Sequence, residues 1–178
     1  ATEKLVARLD GKHKVLFPEI DGTFPNHHPN PVDPETLELM RAEVVAAGAD
    51  LGIGFDGDGD RIGVIDSTGR QVPGDLLTAF LAKDVAARHP GAPILLDVKS
   101  SEAALRLVES AGAAAQIWKT GHSHMKKRMK ELEAPLAGEM SGHIFIADDY
   151  LGFDDAIYAG VRVITQMVKG GQSITEFM

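Results

Sequence analysis

The sequence predicts an α/β fold of two mixed, mostly parallel sheets covered by helices, and three observations carry that prediction. From Asp75 onward, segments with helical and strand character alternate regularly, which is the pattern of parallel strands joined by helical crossovers. Before that point two apolar runs flank a short glycine-rich loop, as a hairpin does. Pro73-Gly74 punctuates the chain between the two patterns, so a boundary near residues 70–74 divides 1–72 from 73–178. The 178 residues are 44% hydrophobic, enough for one full-sized core or two small ones, since domains cluster at roughly 100–150 residues.

Each element follows from its residues. Residues 1–9 close a helix, and Lys14-Val15-Leu16-Phe17 reads as a short strand. The run from Asp21 to Pro31, rich in Pro, Asn and Gly, must be loop. Asp33 before Pro34 is an N-cap followed by proline at the first helical position, where its missing N–H costs nothing. Leu37, Met40, Val44 and Ala47 then keep one apolar face until Gly48. Strands are expected over 49–55 and 62–66, with Ser67-Thr68-Gly69-Arg70 as a tight turn. Beyond it the pattern gives helix 75–88, strand 93–98, helix 101–111, strand 113–118, helix 123–133, strand 142–146 and helix 153–169.

Composition removes several function classes. A net charge of −8 argues against a nucleic-acid binder, whose affinity comes from clustered Lys and Arg. With no cysteine there is neither a disulfide nor a thiolate metal site, and a reducing, cytoplasmic compartment is the expectation. No apolar run approaches the ~20 residues of a membrane helix, so no membrane partner is expected.

Chemistry concentrates in three segments. In Gly54-Phe55-Asp56-Gly57-Asp58-Gly59-Asp60-Arg61, three carboxylates at alternate positions converge where glycines let the backbone curl. Such carboxylates repel one another without a cation, and a few of them with positions left open suit Mg²⁺ serving a phosphate substrate. A calcium EF-hand loop is excluded, because its sixth position would be Arg61 instead of Gly and its twelfth Ser67 instead of Glu. An aspartyl nucleophile within Asp56-Gly57-Asp58, as in a Mg²⁺-dependent phosphatase, is disfavoured by the third aspartate and the glycines.

Lys119-Thr120-Gly121-His122-Ser123-His124 joins a strand end to a helix start, where α/β sheets bind ligands and free N–H groups favour anions. Read alone, it is a helix cap, by Ser123 or Thr120, before a solvated basic face at Lys126, Lys127, Arg128 and Lys130. Gly138-Glu139-Met140-Ser141-Gly142-His143 offers a carboxylate, a hydroxyl and an imidazole, the donors and acceptors that sugar hydroxyls need. On its own it is an ordinary loop. His27 and His28 point apart in an extended loop with no third ligand nearby, and Ser123 between two histidines has nothing to orient a base. Trp118, inside a strand, is expected to be partly core.

Taken in order, the three segments resemble those of the α-D-phosphohexomutases of the phosphomannomutase/phosphoglucomutase type, and the resemblance covers nearly the whole chain. It implies that Asp56, Asp58 and Asp60 hold Mg²⁺ and that Arg61 and His122 act in catalysis on the phosphosugar. It further implies that Lys99, after the strand 93–98, and Glu139, Ser141 and His143 bind the substrate. In that family a phosphoserine exchanges its phosphoryl group with the 1 or 6 position of a hexose phosphate, through a glucose or mannose 1,6-bisphosphate. The family's Thr-Ala-Ser-His-Asn-Pro serine segment and its Arg-x-Ser-Asn/Gly-Thr-Glu-Pro phosphate loop have no match here. The resemblance therefore implies most of domain two in 1–72 and domain three in 73–178, partnered by the remaining domains and inactive alone. A non-catalytic module binding metal or sugar phosphate is the alternative.

Overall fold

A computed structural model describes residues 2–178. Its elements are α1 (Thr2–Val6), a 3-10 turn (Pro34–Leu37), α2 (Glu38–Ala47), β1 (Leu51–Phe55), β2 (Ile62–Asp66) and β3 (Gln71–Val72). The second half has α3 (Gly74–Arg88), β4 (Pro93–Asp97), α4 (Glu102–Ser110), β5 (Ala114–Trp118) and α5 (His122–Leu132). It continues with β6 (Leu136–Gly138), β7 (Ile144–Ile146), α6 (Ala156–Gly170) and α7 (Ile174–Phe177). Two sheets result, β1-β2-β3 and β5-β4-β6-β7, so the α/β architecture is the one expected.

Connection length decides strand direction. The loop 56–61 and the turn 67–70 are too short for a crossover, so β1, β2 and β3 are antiparallel throughout. In the second sheet α4 and the α5 crossover make β4 parallel to both β5 and β6, while the short 139–143 connection turns β7 antiparallel to β6. Strands β3 and β6 and helix α7 were not legible in the sequence, because two- and three-residue strands show no period.

The expected strand at Lys14–Phe17 is absent. That stretch is irregular, Phe17 adopts a positive φ of 51° and is 42% exposed, and no described strand offers it a ladder. Ala47 is also exposed; the buried face of the segment narrows to Leu37 of the 3-10 turn and Val44 of α2, against Ile65. At the start of that helical segment the Asp33 cap holds, its carboxylate accepting from the Glu35 N–H.

Helix α3 lies at the centre. It is apolar around nearly its whole circumference, and Leu77, Ala79, Phe80, Ala82, Val85 and Ala86 are all buried, as befits a helix covered on every side. One apolar cluster joins Ile62, Val64 and Val72 of the first sheet to Leu96, Ile144 and Ile146 of the second through this helix. The core thus crosses the Pro73-Gly74 punctuation and fixes the acidic loop relative to the second sheet.

Candidate functional site

The loop between β1 and β2 is organised around one carboxylate. Asp56, whose side chain is 2% exposed, accepts through Oδ1 from the backbone N–H groups of Gly59 (2.9 Å), Asp60 (3.0 Å) and Arg61 (3.1 Å). Its Oδ2 accepts from Arg61 Nε at 2.7 Å. Gly59 permits this curl with φ of 78°. Burial pushes the Asp56 carboxyl up, but the hydrogen bonds and charge of Arg61 outweigh it and hold the group below the usual carboxylate range. Asp60 moves the opposite way: burial and the neighbouring Asp56 and Asp58 raise it, against the pull of His143.

One oxygen from each of Asp56, Asp58 and Asp60 lies within 4.8 Å of the others. This all-oxygen set, with mutual repulsion already raising Asp60, fits a hard divalent cation such as Mg²⁺. Asp58, exposed at the tip, has the freest carboxylate, whereas Asp56 would have to share Oδ2 with Arg61.

The acidic loop is docked on the 139–143 loop. The Ile62 N–H donates to Gly142 O at 3.0 Å, Arg61 and His143 form an antiparallel bridge, and the Ala156 N–H donates to Gly59 O at 3.0 Å. Gly142 has φ of 91°, and a Cβ there would lie 2.5 Å from Ile62 O, so only glycine allows the approach.

Glu139 is the counterpart of Asp56 on this side. It is 1% exposed; Oε1 accepts from the Gly121 N–H at 2.6 Å, and Oε2 accepts from Ser141 Oγ at 3.2 Å and lies 3.1 Å from His143 Nδ1. Burial raises the Glu139 carboxyl, but bonds from His143 and Gly121 prevail and lower it. For His143, burial disfavours the charged ring, yet the bond to Glu139 and the charges of Asp60, Glu139 and Asp154 raise it above the ordinary imidazole value. Its Nε2 is 3.6 Å from Asp60 Oδ2, and its ring stacks near His122 with centroids 6.0 Å apart.

The structure therefore brings Asp56, Asp58, Asp60, Arg61, His122, Glu139, Ser141 and His143 into one region. Lys99 is exposed just past β4, joined through its N–H to Asp97, which also accepts from Thr120 Oγ1 at 3.0 Å. Thr120 and Ser123 do not cap α5; Gly121 occupies the N-cap, with no side-chain cap bond. His27 turns to the His28 carbonyl, and Trp118 is half-buried under Arg128, 4.6 Å from its ring centroid. Sequence reasoning missed Asp97 and Asp154. Asp97 is a strand-end carboxylate whose only signal was its position, and Asp154 reads as one of two ordinary acids ahead of a helix.

The site of this α/β protein is an acidic loop with the donor set for a hard cation, set against a loop of glutamate, serine and histidine, the groups that a metal-assisted site for a polar ligand needs. The profile for "Phosphoglucomutase/phosphomannomutase, alpha/beta/alpha domain III" matches residues 73–178, and that for alpha/beta/alpha domain II matches residues 1–69. The chain belongs to the phosphoglucomutase/phosphomannomutase family.

Among its relatives, a phosphomannomutase/phosphoglucomutase of Pseudomonas putida is 52% identical over 96% of this chain and 37% of its own length. A phosphoglucomutase of Neisseria gonorrhoeae is 43% identical over 90% of this chain and 35% of its own. A crystal structure of a phosphoglucomutase/phosphomannomutase family protein from Burkholderia thailandensis superimposes with a TM-score of 0.83 at 45% identity, covering 86% of this chain and 34% of that one. The chain thus spans little more than a third of the length of the relatives it matches. An N-acetylphosphoglucosamine mutase of Aspergillus fumigatus, solved with GlcNAc-6P and magnesium, shares the fold with a TM-score of 0.60 at 17% identity over 72% of this chain and 32% of its own.

Proposed function

We propose that this chain supplies the metal loop and the sugar-reading loop of a phosphomannomutase/phosphoglucomutase, which moves a phosphoryl group between the 1 and 6 positions of hexose phosphates. Residues 1–72 would be the C-terminal part of a second domain and 73–178 a third domain. The observation that carries the reading is the docking of the acidic loop on the 139–143 loop, with His143 Nε2 facing Asp60 Oδ2 at 3.6 Å. That contact puts cation ligands beside groups suited to sugar hydroxyls.

In this reading Asp56, Asp58 and Asp60 hold Mg²⁺, which when bound offsets charge on a phosphoryl group. Arg61, donating through Nε to Asp56 and through Nη1 to Asn30 Oδ1 at 3.4 Å, keeps its positive charge beside the acidic loop for the phosphosugar. The exposed Lys99 and His122 flank the helix start, where positive charge and free N–H groups attract a phosphate. Ser141 and His143, positioned by buried Glu139, supply a hydroxyl and an imidazole to sugar hydroxyls, while Glu139 keeps Gly121 and hence His122 in place. The transferred group would come from a phosphoserine outside this sequence, with glucose or mannose 1,6-bisphosphate as intermediate, in the cytoplasm. No helix of the described residues is long and apolar enough to cross a membrane, which agrees with that compartment.

Calorimetric titration with Mg²⁺ and then glucose 1,6-bisphosphate tests the proposal. One Mg²⁺ should bind, Asp58→Asn should abolish its heat, and the bisphosphate should bind weakly; the chain by itself should give no mutase turnover. Mg²⁺ heat unchanged in Asp58→Asn would sink the assignment of the acidic loop.

A further inference from the structure

Asp154 is a carboxylate beside the site that the reading above leaves unused. Its side chain is 7% exposed; Oδ1 accepts from Lys126 Nζ at 2.9 Å, but Oδ2 is buried with no hydrogen-bond partner among the described residues. The ring of His122 approaches that oxygen with Nδ1 at 3.9 Å, beyond hydrogen-bond reach. A buried carboxylate oxygen left unmatched is costly and calls for a ligand.

The residues beside this carboxylate have the makings of one. One oxygen of Asp60, one ring nitrogen of His143 and one oxygen of Asp154 lie within 4.8 Å of one another. With the Ser141 hydroxyl donating to Glu139 Oε2 at 3.2 Å, Nδ1 of His143, 2.9 Å from Ser141 Oγ and 3.1 Å from Glu139 Oε2, is the donor toward that pair and leaves Nε2 facing Asp60. A carboxylate behind a histidine, orienting the ring toward two further carboxylates, is the outer shell that histidine metal ligands ordinarily have. Asp154 is itself held on a fixed loop: the preceding turn is tied down by buried Asp148, which pairs with Arg88, His89 and Arg162, and the next residue, Asp155, caps α6.

We propose that Asp60, His143 and Asp154 form a second cation site, distinct from the all-oxygen loop of Asp56, Asp58 and Asp60, that takes a borderline divalent ion of the Zn²⁺ class. The donor set decides the class, because an imidazole nitrogen with two carboxylate oxygens suits Zn²⁺ or Co²⁺, whereas Mg²⁺ prefers oxygen alone. Three protein ligands leave a fourth position open. Asp60 bridges the two sites, so the ion would staple the acidic loop to β7 and α6. The proposal stands on this geometry and not on the mutase reading, with which it shares Asp60, His143 and the supporting Glu139, while Asp154 belongs to it alone.

Co²⁺ added to the chain in excess Mg²⁺ tests it, because the visible spectrum of nitrogen-ligated, four-coordinate Co²⁺ differs from that of an all-oxygen site. One equivalent should bind with the nitrogen-ligand spectrum, persist in Asp58→Asn, and disappear in both Asp154→Asn and His143→Gln. Glu139→Gln should weaken it about 10- to 100-fold. Mg²⁺ heat like that of the unsubstituted chain certifies the fold of Asp154→Asn, and His143→Gln carries the test if that variant fails. An oxygen-only spectrum in the unsubstituted chain, or a nitrogen-ligand spectrum surviving both substitutions, overturns the second site. Loss of Mg²⁺ heat at the acidic loop would instead bear on the mutase reading alone.

Discussion

Asp56 and Glu139 are both buried carboxylates that organise a loop, yet they recruit their partners in opposite ways. Every hydrogen bond to Asp56 comes from within five residues, three of them backbone N–H groups of its own loop. Glu139 reaches eighteen residues back to the Gly121 N–H, and only its bonds to Ser141 and His143 are local. The acidic loop is therefore shaped by its own sequence, while the wall built around Glu139 exists only once β4, β6 and α5 have packed. Local organisation makes a motif readable, and long-range organisation makes it depend on the core.

The sharpest way to break that contrast is through the core the two loops share. Phe80 is fully buried in α3 and lies within the cluster joining the two sheets. Phe80→Ala should cost about 3–5 kcal/mol by lost burial and a residual cavity. Urea melts followed by circular dichroism and by Trp118 fluorescence should shift together. Separate transitions would show that the two halves fold independently and that the common core is not cooperative.

A smaller effect should fall on one loop alone. Asp56→Asn keeps the shape but places an amide opposite the Arg61 guanidinium, leaving a partly buried cation poorly paired at a cost of about 1–3 kcal/mol. Amide chemical shifts should move across residues 56–61, while those of Gly121 and residues 138–143 stay near their starting positions. Equal perturbation of both would erase the distinction between local and long-range organisation.

The smallest effect is in pH. Asp56 and Glu139 are lowered in the folded state, so their stabilisation is present above the unfolded carboxylate value and is lost as pH falls through their folded values. His143 and Asp60 are raised, so their contribution is complete at low pH and is lost as pH rises, for His143 from its unfolded value of about 6.5 through its folded value. Metal-free stability should therefore peak in the mildly acidic range, at about pH 5–6, and decline toward pH 8. Saturating Mg²⁺ should remove the Asp60 share of that decline. Thermal melts between pH 4 and 8, with and without Mg²⁺, read this directly; a flat profile without the metal would mean these carboxylates do not feel one another.

Much of the fold was legible because its signals are local. The Asp33-Pro34 start, the left-handed Gly48 stop, the 51–55 and 62–66 hairpin and the helices after Asp75 all follow from caps, glycines and periodicity within a few residues. The strand expected at Lys14–Phe17 shows the reverse, since a strand needs a partner that its own residues cannot supply. Strands β3 and β6 were missed for the same reason: their two and three residues are strands only because β2 and β4 pair with them.

By itself the sequence determined the α/β class, the acidic loop and the order of the three chemical segments, because helix period, turn chemistry and carboxylate spacing act over a few neighbouring residues. Only the tertiary structure decided that β3 joins the first sheet, that Glu139 is buried against Gly121, and that Asp154 joins Asp60 and His143. Those outcomes depend on which distant segments the buried α3 core brings within hydrogen-bonding reach, and no local pattern of residues carries that distance.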